Sequence, residues 1–149
     1  MSGAEQVEME ERLAEAIRGL LRQLYVGGQY TSVEAEWLKL SVLERQVLGV
    51  LLNQPGMMIK ELAIYFGVQG TTMKSVLDRL IAGNLVHKAP HAIDKRAVAL
   101  SLTQKGADII GSIRSQDLKN CRDMLKQLSS KRQEQFVDDL ERMLKRFSK

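Results

Sequence analysis

The residues best placed to do chemistry cluster in one stretch, Leu85–Gly106, LVHKAPHAIDKRAVALSLTQKG. Lys88, Lys95 and Arg96 are cations, with His91 and Asp94 set between them. Leu85-Val86 opens a first short strand. The breaker-free run Ala97–Leu102, small and branched, makes a second. The intervening Lys88–Arg96 is too long for a two-residue turn and predicts a protruding basic loop. Lys and Arg on such a loop neutralise phosphates, and Arg can enter a narrow minor groove. A solvated hairpin with ordinary surface charge would read the same way.

A second set lies upstream. Lys60–Phe66 reads as a short helix, Gly67–Gly70 as a tight turn and Thr71–Ala82 as a second helix, the signature of a helix-turn-helix. At about 100° per residue, Met73, Val76, Leu77 and Leu80 share the core-facing side of that second helix. Thr71, Ser75 and Asp78 face away, flanked by Thr72, Lys74 and Arg79. Short hydroxyls and flanking cations suit base edges and phosphates in a major groove. Any amphipathic surface helix looks similar alone. Helix, turn, helix and basic loop in succession predict a winged helix-turn-helix whose partner is double-stranded DNA.

Catalytic patterns are sparse. His87 and His91 flank Pro90, but no acidic or cysteine ligand stands at matching spacing, so no metal is expected. No Gly-rich phosphate loop, nucleophile elbow or paired-carboxylate motif appears, and neither enzymatic activity nor a cofactor is expected.

These residues resemble the MarR family (multiple-antibiotic-resistance regulators) of transcription factors. Asp94-Lys95-Arg96 followed by Leu102-Thr103-Gln104-Lys105-Gly106 is similar to the family's wing pattern of Asp-x-Arg and then Leu-Thr-x-x-Gly. Glu61-Leu62-Ala63 and Leu77-Asp78-Arg79-Leu80 resemble its two DNA-domain helices, and the likeness spans nearly the whole chain. It implies a homodimeric winged-helix regulator, often controlled by a small ligand or by oxidation. It also implies that Arg96 reaches the minor groove while Asp94 braces it. The chain departs from the pattern twice. Gln69-Gly70 stands where a Ser-like cap is usual, so Gly70 or Thr71 is expected to cap the second helix instead. Asn84 replaces a Gly after that helix, and Asn tolerates the left-handed conformation.

Length and composition fit. At 149 residues, 44% hydrophobic and 27% charged, the chain suits one soluble domain with a real core. No run approaches the roughly 20 apolar residues of a membrane span. The acidic start, Met1–Arg12, does not read as a secretory signal. The single cysteine, Cys121, excludes an internal disulfide and fits a cytoplasmic location. The net charge of +4 is uneven: −3 over residues 1–59, +4 over 60–105 and +3 over 106–149. The basic excess thus falls on the proposed reader and the C-terminal helices, as an electrostatic footprint on DNA requires.

The remaining segments have another task. Leu13, Ile17, Leu20, Leu21 and Leu24 recur at helical spacing over residues 5–25, ended by Gly27-Gly28. Ser41 and Glu44 have capping-box spacing before an apolar helix, and Met57-Met58-Ile59 reads as a short extended piece beside the wing. Thr103 can cap a long helix bearing Ile109, Ile110, Ile113, Leu118, Cys121, Leu125 and Leu128. Ser130-Lys131-Arg132-Gln133 has capping-box spacing and restarts a helix with Phe136, Val137, Leu140, Met143, Leu144 and Phe147.

The expected architecture is mainly α with a small β-hairpin wing (α+β), as one domain over 1–149. Residues 41–105 form the winged helix-turn-helix lobe, and 5–25 with 106–149 form a helical dimerisation layer. Two recognition helices of a homodimer would then meet a pseudo-palindromic operator. Cys121 reads as a small buried hydrophobe on its stripe, with a thiol-based redox sensor, or a winged-helix protein-interaction module, as alternatives. Tyr25, Tyr30, Trp37, Tyr65 and Phe66 could line an apolar pocket for a small aromatic or amphipathic effector, or simply pack as core.

Overall fold

The computed structural model describes residues 1–25 and 39–148, Tyr25 by its backbone only. The elements run α1 (Gly3–Tyr25), α2 (Val42–Asn53), β1 (Met57–Met58), α3 (Ile59–Phe66), α4 (Gly70–Ala82), β2 (Val86–Pro90), β3 (Val98–Leu102), α5 (Gln104–Leu125) and α6 (Ser130–Lys145). They divide into two compact units, Met1–Arg114 and Ser115–Lys149.

In the first unit the core is assembled from the apolar faces read in the sequence. Val47, Leu48 and Leu51 of α2, Leu62 of α3, and Met73, Val76, Leu77 and Leu80 of α4 are all buried. Val86 and Leu100 of the sheet and Ile109, Ile110 and Ile113 of α5 join them. Each such side chain contributes roughly 1.5–3 kcal/mol when fully buried, so this cluster anchors α4 and the sheet to one body. The sheet order is β1-β3-β2, antiparallel throughout, so Met57-Met58 does lie beside the wing strands.

Local signals explain the joints. Ser41 Oγ accepts from the Glu44 N–H at 3.1 Å and caps α2. The turn between α3 and α4 needs a left-handed residue, and Gly67 supplies it at φ 65°. Its successor closes the helix end, Val68 N–H donating to Ala63 O at 3.0 Å. Asn84 adopts φ 58°, as its chemistry allowed. Thr103 caps α5 by accepting from Gly106 N–H at 3.0 Å, and its hydroxyl donates to Asn84 O at 2.6 Å. At Gly106 the helix passes so close to Leu85 that a Cβ would overlap its carbonyl oxygen. The Thr-x-x-Gly spacing is therefore a docking device: hydroxyl cap, backbone tie and contact without a side chain.

Several expectations are corrected. β2 extends to Pro90, with Pro90 opposite Val98, so Lys88 lies in a strand and the loop is only 91–97. Proline is tolerated there because β2 is an edge strand of the sheet. The N-cap of α4 is Gln69 rather than Gly70 or Thr71, and it makes no side-chain capping bond. Instead its carbonyl receives the Met73 N–H at 3.0 Å, and the buried face holds the helix in register. α2 is not apolar-buried on every side, since Val42 and Leu52 are exposed while Glu44 and Arg45 are buried.

In the second unit, Ser129 precedes α6 where Ser130 was expected to cap it, and its carbonyl accepts from both Arg132 and Gln133. The Gln133 side chain turns back to Leu128 O at 3.0 Å. α5 ends at Leu125, before Leu128. Cys121 is exposed, contrary to the buried reading, because nothing among the described residues covers that side of the helix. No residue of α6 is buried, and Leu140, Met143, Leu144 and Phe147 stand open.

Candidate nucleic-acid interface

α4 offers its outer face as the sequence requires. Burial of Met73, Val76, Leu77 and Leu80 leaves Thr71, Thr72, Lys74, Ser75, Asp78 and Arg79 exposed. The hydroxyls crowd the helix start, where the first backbone N–H groups also lack intrahelical partners. Lys74 Nζ lies 2.8 Å from Asp78 Oδ2, an i,i+4 pair. Both side chains are more than half exposed, so the pair contributes little and can be given up for a phosphate.

Arg79 is bound differently. Its Nε donates to Glu44 Oε1 at 2.9 Å, and that carboxylate is only 9% exposed whereas Arg79 is 59% exposed. The guanidinium thus neutralises a buried acid of α2 with one edge and keeps the rest in solvent. Removing it would strand a buried charge, so Arg79 ties α4 to α2 as well as facing outward. The sequence reading placed Arg79 on the outer face and missed this tie. Glu44 carried a second signal besides its capping-box spacing, being a carboxylate next to the buried-facing apolar run of α2. Arg114 makes a second link, donating to Gly49 O at 3.0 Å and Asn53 Oδ1 at 3.3 Å at the C-terminal end of α2.

The wing sets Lys88 on β2 and Lys95 and Arg96 on the loop, all exposed. Asp94 Oδ1 accepts the backbone N–H of Arg96 at 3.1 Å, a bond to the main chain and not to the guanidinium. His91 is half-buried, and its ring faces the loop, with Nδ1 accepting from Ile93 and Asp94 N–H. α4 packs against β2, so the hydroxylic helix face and the basic wing belong to one body.

Of the candidate pocket residues, Tyr65 and Phe66 are the two whose side chains fall among the described residues. Tyr30, Trp37 and the Tyr25 side chain lie outside the described residues. Tyr65 and Phe66 stack edge to face, centroids 4.9 Å apart, with Tyr65 exposed and Phe66 against the core. Cys121 instead borders a groove of about 370 Å³ with Leu118, Arg122, Leu125, Lys126 and Gln133. No group of three or more His, Cys, Asp or Glu suited to a metal occurs among the described residues. Nor is any helix among them long and apolar enough to cross a membrane.

No family model and no curated protein matches the sequence. Solved structures do. A structure of a MarR family transcription regulator superposes with a TM-score of 0.73 at 20% identity, over 97% of this chain and 93% of that one. RV1404 from Mycobacterium tuberculosis gives 0.76 at 18% identity, over 100% of this chain and 97% of the other. A variant of S. aureus MepR bound to an oligodeoxyribonucleotide gives 0.62 at 22% identity, over 93% and 98%. Mostly helical, with a small antiparallel sheet and end-to-end agreement with such structures, the chain has the MarR-like winged-helix fold.

Proposed function

We propose that this chain is a homodimeric transcriptional regulator that binds double-stranded DNA sequence-specifically and represses until a small ligand releases it. The observation that carries the reading is the pairing of an exposed hydroxylic helix face, Thr71, Thr72 and Ser75, with an exposed basic wing on one body. In this reading α4 enters a major groove, where Thr71, Thr72, Lys74, Ser75 and Arg79 meet bases and phosphates. Lys88, Lys95 and Arg96 of the wing, on a loop ordered by His91 and Asp94, meet the backbone and minor groove. The solved oligodeoxyribonucleotide complex of a protein of this fold supports it by analogy.

Dimerisation is supported by the apolar stripes of α1 and α6, which lie open in the single chain. Two recognition helices would then engage half-sites about 10 bp apart or a multiple of it. Any ligand that changed their spacing would release both, since the half-sites must be held together. A thiol-controlled version is favoured by one observation, the exposure of Cys121. It requires diamide-sensitive binding that Cys121→Ser abolishes.

The test is selection of bound sequences from a random duplex pool, followed by titration at several salt concentrations. Arg96→Ala should weaken specific and nonspecific binding alike and lower the log–log salt slope by about one to two for the dimer. Ser75→Ala should change half-site preference at a nearly constant slope, since a neutral hydroxyl releases no counterion. Binding to no duplex at any salt, or a selected pool no different from the input, would overturn the reading.

A further inference from the structure

We infer that His91 is the positioning residue of the wing: its neutral imidazole, hydrogen on Nε2, holds the loop that presents Lys95 and Arg96, so acid weakens DNA binding. The DNA half of this rests on the function proposed above. The geometry comes first. Nδ1 accepts the N–H of Ile93 at 3.3 Å and of Asp94 at 3.1 Å. A ring nitrogen can accept only through a free lone pair, so the ring proton must sit on Nε2. An imidazolium carries hydrogen on both nitrogens and accepts at neither.

The rest of the loop is anchored through the same residues. His91 N–H donates to Ala97 O at 2.9 Å, closing the loop across the strand ends. Ala97 N–H donates to Asp94 O at 3.0 Å, and Asp94 Oδ1 takes the Arg96 N–H at 3.1 Å. The ring therefore fixes Asp94, and Asp94 fixes Arg96. With its N–H turned inward, Ile93 stands 90% exposed at the tip. His91 occupies the place an Asn or Asp takes in a side-chain-closed turn, with a ring nitrogen as the acceptor.

The charged groups around it are His87 and Lys88 on β2 and Asp94, Lys95 and Arg96 on the loop. β3 and β1 carry none. Protonating His91 has two opposed consequences. It adds a cation near phosphate, which would tighten binding, and it removes both bonds to the ring, which loosens the loop. A contact role and a positioning role thus predict opposite signs.

The experiment measures duplex binding by fluorescence anisotropy at fixed ionic strength between about pH 8 and about pH 5.5, a range spanning imidazole titration. His87→Gln is the background, removing the other histidine. Binding should weaken about three- to tenfold on acidification, the scale of one or two lost hydrogen bonds. Adding His91→Asn, whose side-chain oxygen still accepts but does not titrate, should leave binding flat near the high-pH value. Adding His91→Ala should give the weakened affinity at every pH. Imidazole nitrogen NMR of the free wild-type protein should show the Nε2–H tautomer, with amide protection factors at Ile93 and Asp94, taken against the intrinsic exchange rate at each pH, that fall in acid. Tighter binding in acid, or an Nδ1–H tautomer, would overturn the inference. Failure to bind any duplex, with the tautomer and amide protection as expected, would uphold the loop brace and remove the DNA-binding reading instead.

Discussion

Gly106→Ala isolates the contact that docks α5 on the Asn84-Leu85 segment after α4. The added Cβ would overlap Leu85 O and lie 2.9 Å from the Leu85 carbonyl carbon and 3.3 Å from its Cα. All three are backbone atoms, so no rotamer change relieves the clash. Either the start of α5 or the Asn84-Leu85 segment must shift. Both sit on the same ties, Thr103 N–H to Leu85 O at 3.0 Å and Thr103 Oγ1 to Asn84 O at 2.6 Å. Overpacking of this kind costs about 1–3 kcal/mol, and a weakened hydrogen bond about 0.5–1.5 more. Alanine returns at most about 1 kcal/mol of helix propensity. The net expectation is a loss of about 0.5–4.5 kcal/mol, centred on about 2.5. Gly111 of the same helix is the control, since a Cβ there meets nothing within 4 Å. Gly111→Ala should be neutral or stabilise by up to about 1 kcal/mol. Urea unfolding at equal protein concentration measures both, because a dimer's stability depends on concentration. A Gly106→Ala protein as stable as the parent would refute the reasoning.

Two further outcomes are expected. Replacing Leu140 and Leu144 together with Asp should convert the proposed dimer to monomer and weaken DNA binding sharply, since both residues lie on the open apolar face of α6; a stable dimer of the variant by sedimentation would exclude that face from the interface. Asp94→Ala should weaken duplex binding although it removes a negative charge, because the Arg96 N–H loses its acceptor; simple electrostatics predicts tightening, and an anisotropy titration separates the two.

Much of the fold was legible because its signals are local. The spacing of Met73, Val76, Leu77 and Leu80 fixed which side of α4 is buried, and hence which residues remain outward. Ser41 and Thr103 capped the helices they precede. Asn84 took the left-handed conformation its side chain tolerates. In each case a residue's own conformational preference, or a partner three or four positions away, sufficed.

The tertiary structure decided what depends on distant chain segments. Glu44 and Arg79 are 35 residues apart, and only the packing of α2 on α4 turns an outward cation into an anchor for a buried acid. Gly106 is needed for the Leu85 carbonyl, which spacing alone does not place beside it. His91 became an acceptor within its loop because pairing as far as Pro90–Val98 shortened that loop and turned the ring inward. Cys121 shows the limit most simply. Helical periodicity identified the apolar side on which it lies, but burial requires another surface, and the described residues place none there. Sequence by itself determined which faces are apolar and which turns are possible. Which of those faces are covered, and by which backbone atoms, is set by three-dimensional packing, since covering a surface takes a partner that periodicity along one chain cannot specify.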